Sequence, residues 1–106
     1  MDTLFFVEGY PRLQKMASGH LSLELSDKIT LDEFPEFANR LISVVGGIVE
    51  EKNHSVIMCI WDVSINDKQY RLVYDDYPCG VSLESDNDDS DREIYRIKSL
   101  LEGRVE

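Results

Sequence analysis

Apolar positions recur along this chain with two periods, and the two periods divide it into helices and strands. The clearest stretch runs ITLDEFPEFANRLISVVGG from Ile29 to Gly47. Phe34, Phe37, Ala38, Leu41, Ile42 and Val45 fall at i, i+3, i+4, i+7, i+8 and i+11, which places all six on one face of a helix. Thr30 with Glu33 has the form of a capping box. Asp32, Glu33 and Glu36 put negative charge near the positive end of the helix dipole. Pro35 is tolerated only in a first turn, which moves the expected start toward Phe34. Gly46-Gly47 supplies a left-handed stop.

On both sides the period shortens to two. Leu4 to Val7 reads as a first strand, and Gly9-Tyr10-Pro11 as a turn. Arg12 to Ala17 suits a short helical turn or a strand pairing through Ser18-Gly19, and strand is the preferred reading. In His20 to Leu25 the leucines at 21, 23 and 25 face one way, while His20, Ser22 and Glu24 face solvent. Ile48 to Lys52 predicts a short strand and Asn53-His54 a turn. Ser55 to Ile65 is the longest strand candidate. Its residues Ile57, Cys59, Trp61, Val63 and Ile65 share one face, and Val56, Met58 and Ile60 make the other face apolar too, which predicts an interior strand. Asn66-Asp67 is a hairpin tip, and Gln69 to Asp76 returns as far as Pro78. Cys79, Val81 and Leu83 alternate with Gly80, Ser82 and Glu84 in a last strand.

A second helical stripe follows, made by Ile94, Ile97, Leu100 and Leu101, with Ser90 and Glu93 as a second capping box and Gly103 at its close. The predicted architecture is a single α+β domain over residues 1–106. It has a mostly antiparallel sheet of about five to six strands and two helices, near 31–46 and near 90–102.

Charge changes this picture most. The formal net charge is −10. That disfavours nucleic acid, whose phosphates would be repelled, and an anionic membrane surface for the same reason. It favours a basic protein partner, whose approach an acidic surface steers. The carboxylates Asp75, Asp76, Glu84, Asp86, Asp88, Asp89 and Asp91 gather between Leu72 and Glu93, and they are the expected binding residues. Tyrosines nearby add contact area or fill half-buried sheet positions. The bland alternative is solvated charge that opposes aggregation.

No pattern of catalytic spacing is present. Asp86, Asp88 and Ser90 copy the opening of a calcium loop, but Asp91 and Ile97 stand where glycine and glutamate are required. His20, His54, Cys59 and Cys79 lack zinc-ligand spacing, and Cys59 lies in an apolar run that does not activate a thiol. Asp75 and Asp76 are adjacent on a strand and point to opposite faces, so they do not share a proton. The reading is therefore no metal, no cofactor and no enzyme. The beginning, MDTLFFVEGY, has no secretory leader pattern, and no run is long enough to span a bilayer, so a cytoplasmic location with reduced cysteines is expected.

The stretches LDEFPEFANRL and YRLVYDDYPCGVSLES, with the acidity and layout, resemble small uncharacterised bacterial α+β domains. In size and layout the chain also resembles the immunity proteins of contact-dependent growth inhibition. That resemblance implies a cytoplasmic protein that binds and neutralises a cognate toxin domain, often a basic nuclease. It carries over no individual residue. The alternative from the residues alone is a small non-enzymatic regulatory or ligand-binding domain that acts as a homo-oligomer through sheet-edge pairing.

Overall fold

The computed structural model describes residues 6, 9–55, 58–76 and 79–102. The order of elements is β1 (Arg12–Lys15), β2 (Leu21–Ser26), α1 (Phe34–Val45), β3 (Gly47–His54), β4 (Met58–Ile65), β5 (Lys68–Asp76), β6 (Cys79–Glu84) and α2 (Asp88–Glu102). One sheet has the strand order β1-β2-β6-β5-β4-β3, and every pairing in it is antiparallel. The expected α+β class is the observed one. The chain makes the β1–β2 hairpin at one edge, crosses through α1 to the far edge, and returns as a four-strand meander that ends beside β2.

Both helices pack on the same face of this sheet. Phe34 meets Trp61 edge-on, with ring centroids 5.3 Å apart, and lies tilted against Tyr74 at 5.8 Å. Ile94, Ile97 and Leu101 of α2 join Leu23, Leu72 and Leu83 in the same buried cluster. Phe6 is buried there as well, edge-on to Phe37. The rest of the predicted first strand, Leu4, Phe5 and Val7, lies outside the described residues, as do Val56, Ile57, Tyr77, Pro78 and Gly103.

Local chemistry explains both ends of α1. The Thr30 amide and hydroxyl both donate to Glu33 Oε1 at 3.0 Å, in a turn just ahead of the helix. Those two bonds, the amide's first, hold the Glu33 carboxyl below its usual range. Pro35 sits in the first turn, where its missing N–H costs nothing. Gly46 has φ 71° and returns its N–H to the Ile42 carbonyl.

The predicted start of α2 needs correction. The helix begins at Asp88, and its cap is Asn87, whose Oδ1 accepts the Ser90 N–H at 2.8 Å. Ser90 is fully buried, and its hydroxyl donates to the Gln69 carbonyl at 2.8 Å. Tyr70 Oη in turn donates to the Ser90 carbonyl at 3.0 Å, and burial pushes its phenol well above the ordinary range. These two bonds pin the start of α2 to β5. Leu100 stands 45% exposed, so the buried stripe is Ser90, Ile94, Ile97 and Leu101.

Two further boundaries differ from the sequence reading. β3 runs through Asn53-His54, which are strand residues and not a turn, and a bulge interrupts its pairing between Val49 and Glu51. Its exposed, charged sequence is normal for an edge and carries no alternation to read. β4 is described from Met58 and is interior, as its two-sided apolar pattern predicts. Asn66 and Asp67 have φ 54° and 65°, the signature of a tight hairpin turn with both central residues left-handed.

Two substitutions test this packing by urea unfolding. Phe34→Ala should cost about 3–5 kcal/mol, because a fully buried ring between α1 and the sheet is removed. Asn87→Ala should cost about 1 kcal/mol through the lost cap. If Asn87→Ala left the midpoint unchanged, the cap assignment would be wrong.

Candidate partner-binding face

Residues that alternate with the core line the opposite side of the sheet, and no described helix covers it. Register shows how they align. Gln14, Ser22, Glu84, Arg71, Asp62 and Glu51 stand side by side in one row across all the strands. Arg12, Glu24, Ser82, Val73, Ile60 and Asn53 form the next row, and Asp75 lies between Gly80 and Met58 in a third. The centre of the face is apolar at half-buried Ile60 and at Val73, only 8% exposed, and the apolar patch extends through half-buried Met58 to the end of β4. Its margins are acidic. Among the described residues of this face, Glu24, Glu51, Asp62, Asp75 and Glu84 stand beside two cations, Arg12 and Arg71. Arg12 is paired with Glu24, and Arg71 lies 4.0 Å from Glu84.

The seven acids expected from sequence therefore do not form one cluster of equal members. Asp75 and Glu84 belong to the open sheet face. Asp76 ends β5, where it pairs with Cys79. Asp86, Asp88, Asp89 and Asp91 surround the start of α2 instead. Asp86 accepts the Asn87 amide at 2.9 Å, and Asp89 is paired with Arg92.

Asp91 serves the fold. Its Oδ2 receives His20 Nδ1 at 2.8 Å, and its Oδ1 accepts the Leu21 N–H at 2.9 Å. This ties α2 to the first residue of β2. The hydrogen bond to Asp91 raises the His20 pKa against a smaller opposing effect of burial, and Asp88 and Asp86 add to the rise. At Asp91, burial works upward, but the bonds from His20, the Leu21 N–H and Ser85 outweigh it and hold the carboxyl low. His20 was expected on the wet side of its strand. The missed signal is long-range, because Asp91 is seventy-one residues away.

His20, Asp88 and Asp91 bring ligand-type atoms within 4.8 Å of one another. The chemistry of a cation site is poor here. Both Asp91 oxygens are engaged, and the group sits at the positive end of a helix dipole, which favours anions. His54 and Cys59 are cross-strand partners, which sequence spacing did not reveal. The His54 ring, however, accepts Trp61 Nε1–H at 2.9 Å through Nε2, and Lys52 Nζ lies 4.2 Å above the Trp61 ring. Burial raises the Cys59 thiol pKa, which makes it a poor nucleophile.

Glu24, Glu51 and Asp62 were absent from the expected binding set. Alternation marks Glu24 as outward-facing, but only strand order places it on the same face as Glu84 and Asp75, in the row between theirs. No described helix is long and apolar enough to cross a membrane.

A family described as a protein of unknown function, DUF3630, matches residues 12–101. That span runs from the first residue of β1 nearly to the end of α2. No curated protein and no solved structure matches the chain.

The His20–Asp91 tie predicts a pH dependence. His20, with a raised pKa, contributes fully below its ordinary value of about 6.5 and loses that contribution as pH rises through the raised value. Asp91, with a lowered pKa, contributes fully above its ordinary value of about 3.9 and loses it as pH falls through the lowered value. The tie is thus strongest between roughly pH 4 and 6.5. His20→Gln should unfold at lower urea than the parent at pH 5.5, and the gap should narrow by pH 8.5. A gap that is constant or grows would show that no charged pair is present.

Proposed function

We propose that this chain, which belongs to the DUF3630 family, is a binding protein that blocks a basic partner, and that it acts as an immunity protein toward a cognate toxin domain. The observation that carries the reading is a sheet face that no described helix covers, with an apolar centre at Ile60 and Val73 that extends to Met58 and carboxylates around it. An apolar core inside a polar rim is the ordinary anatomy of a protein interface. Its size is adequate. Six strands about 4.8 Å apart and six residues about 3.4 Å apart give on the order of 500 Å² in projection. Side-chain relief brings this toward the roughly 800 Å² that one partner contributes to a standard interface.

Charge supports a basic partner. Long-range attraction speeds encounter, and the buried apolar centre then sets how long the complex lasts. Inhibition by occlusion needs no reacting group on this chain. Among the seven acids proposed from sequence, Asp75 and Glu84 lie on this face, and Asp86 continues past the end of β6. Asp91 contributes least, since its oxygens hold β2 and α2 together.

Homo-oligomerisation through sheet edges has less support. The outer strand β3 carries Glu50, Glu51 and Lys52 and a bulge, devices that discourage edge-to-edge pairing. Among the described residues of β3, exposed Ile48 is a feature in its favour.

The test is to co-express the protein with a toxin domain encoded beside it and to measure growth rescue and association rate. Rescue is expected, with a rate that falls steeply as salt rises. Changing Glu24, Asp62 and Glu84 together to lysine should slow association at least about tenfold at low salt. Absence of rescue against such toxin domains, or a rate indifferent to the triple reversal, would overturn the reading.

A further inference from the structure

The chain has two histidines and one tryptophan, and one of the histidines is bonded to the tryptophan. Trp61 lies on β4, faces the helices and is 1% exposed. Phe34 meets its ring edge-on, and Lys52 stands over the indole with Nζ 4.2 Å from the ring centroid. The indole N–H is buried and needs an acceptor. Among the described residues that acceptor is His54, whose Nε2 takes the bond at 2.9 Å. The two rings lie within 5° of parallel with centroids 6.3 Å apart, so they meet edge to edge and the imidazole lone pair points at the donor.

The position of His54 makes this bond a fastening. It is the last residue of β3, an edge strand hydrogen-bonded to the sheet on one side only. It pairs with Cys59 and reaches Trp61 diagonally across the two strands. The bond also has a chemical condition. Nε2 accepts only while the ring is neutral with its proton on Nδ1, because an imidazolium donates from both nitrogens. The surroundings give such a cation no counter-charge. Lys52 stands two residues back along β3 on the same face, Cys59 faces His54 from β4, and Tyr74 follows in the same row on β5. From α1, Phe34 faces Trp61. Among the described residues no carboxylate forms an ion pair with His54, in contrast to His20, which has Asp91.

We infer that His54 and Trp61 form a pH-operated latch on the end of β3: neutral His54 holds the strand end against β4, and its protonation releases it. A proton on His54 leaves the buried indole N–H without its acceptor and sets a second positive charge beside the indole that Lys52 already covers. A buried donor left unsatisfied costs more than the bond contributed, and the last residues of an edge strand open at least cost. Water then reaches the indole. The response is opposite in sign to that of the His20–Asp91 tie, which is intact in mild acid. At about pH 5, α2 therefore stays fastened to β2 while the far edge of the sheet loosens. β3 carries Glu51 and Asn53 of the open face, so the release alters one margin of that face. The latch does not depend on what binds there.

The test follows the one indole N–H resonance of the isotope-labelled full chain as pH falls from about 8 to about 5, the range in which imidazole takes up its proton. In the parent it should move upfield along a one-proton curve. In His54→Gln, whose side-chain carbonyl accepts at every pH, it should stay in place, and in His20→Gln it should move as in the parent. Amide exchange is the second readout. Residues 52–54 should exchange about tenfold faster in the parent than in His54→Gln at about pH 5 and at equal rates at about pH 7.5, with β5 as the unchanged reference. An indole resonance that does not move, or that moves as far in His54→Gln, would overturn the inference. Equal exchange of residues 52–54 in both chains at the lower pH would overturn it too, since the contact would then titrate without releasing the strand. The titration of the parent needs no variant, so a fixed indole resonance is decisive even if His54→Gln fails to fold.

Discussion

Phe34 wedged against Trp61 and Tyr74 fixes α1 over the middle of the sheet, and the architecture depends on that contact. Trp61 lies on β4 and Tyr74 on β5, so one ring of α1 bridges the two central strands of the meander. α2 takes the remaining apolar surface toward β2 and β5. With both helices on one side, the chain has no described element left for the other. The open face follows from the count and placement of helices.

A sheet face open to water must be soluble by itself. The row Glu84, Arg71, Asp62 alternates in sign across three strands, so neighbouring charges attract one another. Such a ladder stabilises the uncovered face modestly and discourages stacking of two copies. The same row leaves an excess of carboxylate at the margins. Solubility alone would be met by a balanced set of charges. The surplus of acid around an apolar centre is what the proposed binding role rests on.

Much of the fold was legible because one-sided burial writes its period into the sequence. Leu21, Leu23 and Leu25, or Cys59, Trp61, Val63 and Ile65, alternate because one side of each strand meets the helices. The failures have local causes. Ser90 and Glu93 have the form of a cap, but the serine hydroxyl bonds to β5 and Asn87 does the capping. β3 is longer than its apolar pattern, since an edge strand needs no buried alternation. The site was only half legible. Asp75 and Glu84 were found by charge density, whereas Glu24 comes beside them through the pairing of β2 with β6, strands distant in sequence, and Asp62 and Glu51 through the registers of the β3–β4 and β4–β5 pairings. Asp91 looked like one more surface acid because nothing near it in the chain announces His20.

The two acidic regions also differ in the field they present. Around the start of α2, the dipole places roughly half a positive charge at the helix end, which offsets part of the charge of Asp86, Asp88, Asp89 and Asp91. Asp89 is further offset by Arg92, and Asp91 by His20. Strand dipoles nearly cancel in a sheet, so the offset on the open face comes from side chains instead, Arg71 beside Glu84 and Asp62 and Arg12 beside Glu24. A linear count of acids points to the loop before α2, where they are densest. The open sheet face has fewer carboxylates, some of them paired with Arg12 and Arg71, but apolar surface lies beside them. A positively charged protein would be steered by the whole acidic surface, yet it could be held only where both features meet.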